Sequence, residues 1–307
     1  KLFKSIQLFC SVPLDFAAID YHVSLIQNSL KICFLHPDLQ SELFFQLIKQ
    51  SSPDEECREF LKSNAIHAFL CSPHSIFACD EGCGENSSPS SAEQSQSESK
   101  KLSALFLQCF QFLAVTVSIF EPKSQALWLL RHHLNRSKNQ KTELGKYAFY
   151  VERALQRVLA KGGRKQICSR MECLSILQRN PFTYGLPHSI PVHFSNGSYQ
   201  VIGFDGSTTV AEFVQTINAE SGIRDNLQSG FALYSDDPID ENVEHLLNTS
   251  SKLADIISHW ESNLRKYHLG KFESTKAIKL LYKHRFCLKR CFKNETDKER
   301  ILWVSAY

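Results

Sequence analysis

The chain has 307 residues, room for two domains at roughly 100–200 residues each. Its 43% hydrophobic and 22% charged content excludes a disordered or fibrous protein. The formal net charge of +3 excludes little by itself, but the charge is segregated. Residues 1–122 carry a net −6, 123–180 a net +10, 181–264 a net −9 and 265–307 a net +8. Blocks of one sign make solvated faces or find an oppositely charged partner. Eleven cysteines, an odd number with Cys10, Cys33, Cys109 and Cys173 in apolar surroundings, read as buried thiols of a reducing compartment rather than a disulfide framework. No signal-peptide pattern opens the sequence at Lys1, which reads as an excerpt of something longer.

In chain order, the first fifty residues read as helices. Leu39, Leu43, Phe44, Leu47 and Ile48 fall on one helical face, with Pro37 at the start and Asp38 and Glu42 near the positive helix end. From about 51 to 101 the pattern dissolves. Residues 84–100 contain 7 Ser among 17 and almost nothing apolar, so a disordered insertion is predicted. Leu102–Phe120 is 19 residues without a charge, long enough to span a bilayer. Gln108 and Gln111 near its middle, with Ser103, Thr116 and Ser118, favour a helix buried in a bundle instead. The clearest helix is Thr142–Ala160, whose apolar stripe includes Tyr147, Ala148, Val151, Leu155 and Val158, and Gly162-Gly163 ends it. A shorter helix opens at Ser169, with Glu172 completing a capping box, and Asn180-Pro181 closes it.

The period then changes from helical to alternating. Ile190, Val192 and Phe194, then Tyr199 and Val201, flank Asn196-Gly197, which predicts a hairpin with a type I′ turn. Thr209 and Glu212 cap a helix stopped by Gly222, Phe231 and Leu233 mark a third strand, and Leu253–Trp260 a short helix. Ile278, Leu280 and Tyr282 alternate in a last strand, and Thr296 with Glu299 opens another helix near the end. Hairpin, helix, strand, short helix, strand is the order of a ubiquitin-like β-grasp domain. The predicted class is mainly α with α+β: a helical bundle followed by a β-grasp lobe.

Two stretches are candidate binding surfaces. Lys146, Arg153, Arg157 and Lys161 line up on the polar side of the clearest helix, joined by Arg136, Lys138, Lys141, Arg164 and Lys165, against only Glu143 and Glu152 between 136 and 165. A ridge of one sign attracts an anionic surface with salt-dependent affinity. In the last strand Lys279, Lys283 and Arg285 share a face, extended by Lys289, Arg290 and Lys293. Such a basic cluster is a candidate site for anionic lipid or an acidic peptide tail. His67, Cys71, His74, Cys79 and Cys83 could ligate zinc, but their spacings fit no familiar finger and they read as incidental. No cofactor or metal is expected. His132-His133 lacks an accompanying nucleophile, and no phosphate-cradling glycine pattern or nucleic-acid module is present, so neither an enzyme nor a nucleic-acid binder is expected.

Several longer runs carry a family resemblance. Leu39–Gln50 (LQSELFFQLIKQ), Leu127–Leu134 (LWLLRHHL), Gly145–Tyr150 (GKYAFY) and Ser169–Cys173 (SRMEC) resemble the MyTH4 domain, the helical myosin-tail homology module. His188–Phe213 and Ser229–Pro238 resemble the first lobe of a FERM domain, and Glu295–Arg300 (ETDKER) the opening of its second lobe. The whole is similar to MyTH4–FERM tandem proteins and nearest to the pleckstrin-homology-domain-containing family H. The resemblance implies a MyTH4 domain over 1–186, a FERM first lobe over 187–292 and the start of a second lobe over 293–307. It places Leu102–Phe120 in the bundle, leaving no transmembrane span. It further implies a cytoplasmic, cytoskeleton-associated scaffold with the acidic surface of microtubules as partner of the basic MyTH4 face. The alternative it implies is a peripheral adaptor on anionic phospholipids at the inner face of the plasma membrane.

Overall fold

The computed structural model describes residues 1–15, 17–52, 91–139, 141–179, 185–225, 229–237, 239–240, 242–267 and 278–285, with only the backbone for 91–103. The chain divides into two compact units between Leu159 and Ala160.

In the first unit, α1 (Leu2–Ser11), α2 (Ile19–Leu35), α3 (Leu39–Gln50), α4 (Ser91–Val117), α5 (Ser124–Ser137) and most of α6 (Glu143–Lys161) bury their apolar faces on one another. Here α1 packs on α2, α3 and α4, and α3 on α4 and α5. The charge-free run lies in α4, which starts at Ser91, about ten residues before the predicted end of the insertion. An apolar segment held by packing lets a helix propagate into sequence that would not nucleate one.

The two glutamines of that run are buried and bonded. The Gln108 amide donates to the carbonyls of Phe9 and Val12 (2.8 Å to the latter), which lie at the C-terminal end of α1 where helical acceptors run out. Gln111 donates to the Tyr147 hydroxyl at 3.2 Å. Among the described residues no helix is long and apolar enough to cross a membrane. Gln108→Leu is expected to destabilise the first unit by about 2 kcal/mol despite its greater hydrophobicity, because it strips the donor from the buried Phe9 carbonyl. Denaturant unfolding followed by helical circular dichroism checks this; a neutral or stabilising change would contradict it.

The second unit begins with the end of α6 and α7 (Arg170–Gln178). It then builds a five-stranded sheet from β1 (His188–Phe194), β2 (Tyr199–Phe204), β3 (Phe231–Asp236), β4 (Glu244–Leu246) and β5 (Leu280–His284). The strand order is β2-β1-β5-β3-β4, with β1 and β5 parallel and the other pairs antiparallel. The helices α8 (Val210–Ser221) and α9 (Leu253–Lys266) contribute Phe213, Val214, Ile217, Leu253 and Ile257 to a core shared with Val192, Phe204, Leu280 and Tyr282. This is the predicted β-grasp order with one strand added and with a second helix of 14 residues where a short one was expected.

Ser169 and Thr209 both form complete capping boxes with Glu172 and Glu212, and Gly222 ends α8 in the left-handed region at φ 69°. The hairpin differs. The Gly197 N–H donates to the Phe194 carbonyl and the Phe194 N–H to the Ser198 carbonyl, which makes a three-residue loop, Ser195 to Gly197, rather than a two-residue type I′ turn. Glycine takes the positive φ (80°) that closes such a loop.

Candidate functional site

The basic face is built on α6. Thr142 caps its start by accepting the Gly145 N–H at 3.1 Å. Gly145 is required by close approach: a Cβ there would collide with the Asn139 backbone that folds over it. Tyr147, Ala148, Tyr150, Val151, Leu155 and Val158 turn inward, and burial raises the Tyr147 phenol above its usual range.

The charged side chains on the other side divide into two sets. Lys146 pairs with Glu143 at 2.6 Å, and Lys138 pairs with Glu152 at 2.7 Å with its ammonium 5.9 Å from the Phe149 ring centroid. The two carboxylates of the stretch are thus both engaged locally. Exposed pairs of this kind add little stability, but they offset the charge of their lysines. Lys141 and Arg153 are exposed and have no ion-pair partner among the described residues, Arg136 is exposed, and Arg157 is half-buried.

The remaining members of the predicted face belong to the second unit. Lys161 pairs with Glu212, and Lys165 is exposed. Arg164 is not on a surface at all. Its side chain is fully buried, bonded to Glu172, to Asp255 at 2.9 Å and to the Ser258 hydroxyl at 3.1 Å. Helical phase cannot be carried past Gly162, whose φ of 74° redirects the chain inward. Burial alone would lower the Arg164 pKa, but Glu172 and Asp255 raise it above its ordinary value. Burial alone would raise Glu172; Arg164, then His188 and the Ser169 N–H, hold it below the usual carboxylate range. The cluster fastens residues 164–172 to α9, where Asp255 also accepts the N–H groups of Lys165 and Gln166. It is a structural ion network.

On the last strand the alternation is as read. Ile278, Leu280 and Tyr282 are buried while Lys279 and Arg285 are exposed. Lys283, however, pairs with Glu244 and lies 4.9 Å from the Tyr234 ring centroid. Sequence reading missed that partner because β4, three residues long, carries no strand signature. Lys289 and Arg290 lie outside the described residues, as do His67, Cys71, His74, Cys79 and Cys83. Among the described residues no group of three or more His, Cys, Asp or Glu could hold a metal ion. Lys279 lines a groove of about 450 Å³ between α7 and β1, with Arg179, His193, Met171, Leu174 and Pro191. Burial, then Lys279, lowers the His193 pKa.

His133 is buried against the Phe110 ring, with its Nε2 2.9 Å from the Ser51 hydroxyl. Cys10, Cys33, Cys109, Cys168 and Cys173 are buried free thiols.

Residues 92–175 match the MyTH4 domain family, and residues 186–286 match the RA-like domain family. The two modules stand in tandem. An uncharacterized Drosophila melanogaster protein is 45% identical over 98% of the chain, which spans 18% of that protein's length. The MyTH4–FERM MF1 domain of Dictyostelium discoideum myosin VII superposes with a TM-score of 0.65 at 17% identity, over 98% of this chain and 50% of that one, and a mutant of the same domain with a TM-score of 0.66.

 The C-terminal MyTH4–FERM domain of human myosin 7b, solved in complex with the harmonin-a PDZ3 domain, superposes with a TM-score of 0.62 at 14% identity, over 94% of this chain and 46% of that one. The chain therefore spans about half of each solved myosin chain. The fold is that of a helical MyTH4 module followed by the β-sheet lobe that opens a FERM domain.

Proposed function

We propose that this chain is a non-catalytic cytoskeletal adaptor module that docks on an acidic protein surface, the microtubule lattice in the first instance, through the basic side of α6. The observation that carries this reading is the distribution of charge there. Glu143 and Glu152 are taken up by Lys146 and Lys138, so Lys141 and Arg153 project into solvent with no further carboxylate in the stretch. Such a field steers an anionic partner and strengthens at low salt. The same reading makes the protein cytoplasmic and cytoskeleton-associated, in keeping with its resemblance to the pleckstrin-homology-domain-containing family H.

Microtubule co-sedimentation of the full chain tests it. Lys141→Glu with Arg153→Glu should weaken pelleting on the order of tenfold, whereas Lys146→Glu should weaken it less because Glu143 already offsets that lysine. Equal pelleting of all three proteins would sink the reading.

A second reading places the partner site on the basic lobe. The groove beside Lys279 and Arg179 has an apolar floor and no carboxylate among its lining residues, which suits an acidic peptide tail. Anionic phospholipid at the inner face of the plasma membrane is the other ligand of that basic surface. Lys279 and Arg285 remain exposed for either, while Lys283 is engaged by Glu244.

A further inference from the structure

The outer side of α5 carries a feature that the basic face of α6 does not explain. Trp128 is 67% exposed, a state at odds with the usual burial of tryptophan, and Leu129 beside it is 37% exposed. The indole is not loose: it stacks on His132 one turn later, with ring centroids 5.8 Å apart and planes 6° from parallel. Arg131, His132, Asn135 and Arg136 are exposed along the same helix. From Ser124 to Ser137 the helix holds no Asp, Glu or Lys at all.

We infer that this face is a protein-docking surface on which Trp128 is the anchor, and that its partner is an acidic protein surface with an apolar recess that takes the indole. Protein interfaces concentrate Trp and Arg and are depleted of Lys, Glu and Asp, which is the composition of this helix face. Its charge fixes the sign of the partner, since Arg131 and Arg136 are both exposed on a helix whose own sequence carries no carboxylate. A lipid surface fits less well. A helix lying in a membrane needs a continuous apolar face, and here Ala126, Leu130 and Leu134 are already buried in the unit, leaving only Trp128 and Leu129 outside. The inference rests on the acidic-partner reading above and adds to it the apolar contact that charge alone cannot supply.

The test uses the full chain, with microtubules as the acidic protein probe and phosphatidylserine vesicles as the lipid probe. Trp128→Ala should raise the microtubule Kd about tenfold while leaving the dependence of affinity on salt unchanged, because no charge is removed. Trp128→Phe should recover most of the loss, and both variants should melt as the parent does. Parental microtubule affinity in Trp128→Ala, with Lys141→Glu/Arg153→Glu still defective, overturns the anchor and leaves the acidic-partner reading standing. A parent chain that does not pellet overturns both. Loss of vesicle binding in Trp128→Ala with microtubule binding intact overturns the inference in favour of a membrane.

Discussion

Glu172→Gln is expected to cost the second unit about 3–5 kcal/mol, the usual loss when one partner of a buried ion pair is removed. The Arg164 guanidinium is enclosed completely, so without the Glu172 charge only Asp255, itself 16% exposed, remains to balance it. Glutamine can still serve at the third position of the capping box formed with Ser169, so the change isolates the charge rather than the cap. Hydrogen exchange should show faster opening of β1, α7 and α9, with protection in α1–α5 unchanged. Adding Arg164→Met should restore a large part of the loss, since no unbalanced buried cation is then left. Full protection in Glu172→Gln alone would show that the network contributes nothing.

Acid should loosen the same unit. His188 opens β1, is 2% exposed and packs against Phe204 with ring centroids 5.4 Å apart. Burial first, with Arg164 and Arg179 adding repulsion, lowers its pKa to about 4 against the opposing pull of Glu172 and Asp205. The folded protein thus keeps a neutral imidazole at pH values where the unfolded chain binds a proton. The associated stability is complete above about pH 6.5 and is lost as pH falls from there toward about 4, amounting to on the order of 3 kcal/mol across the window. Denaturant midpoints of the β-grasp unit measured through that window should fall with pH, and His188→Gln should flatten the slope. An unchanged slope in the variant would place the acid sensitivity elsewhere.

What could be read from sequence was mostly local. The capping boxes at Ser169 and Thr209, the stop at Gly222 and the alternation of β5 each depend on residues within one turn or one strand of each other. The features that escaped depend on distant partners. Three-residue β4 exists because β3 supplies its register, pairing Tyr234 with Leu246 and Asp236 with Glu244. Lys161 and Lys283 looked like members of open basic faces until Glu212 and Glu244 came beside them from elsewhere in the chain. Arg164 joins the basic face by its charge and its nearness in sequence alone, while its carboxylate partners Glu172 and Asp255 come from later in the chain.

The most direct test of the adaptor account is the salt dependence of microtubule binding by the full chain. The account predicts affinity that falls steadily as salt rises from about 50 to 200 mM, with a shallower fall in Lys141→Glu/Arg153→Glu. Binding that is indifferent to salt, or a slope that the double variant leaves unchanged, would contradict it.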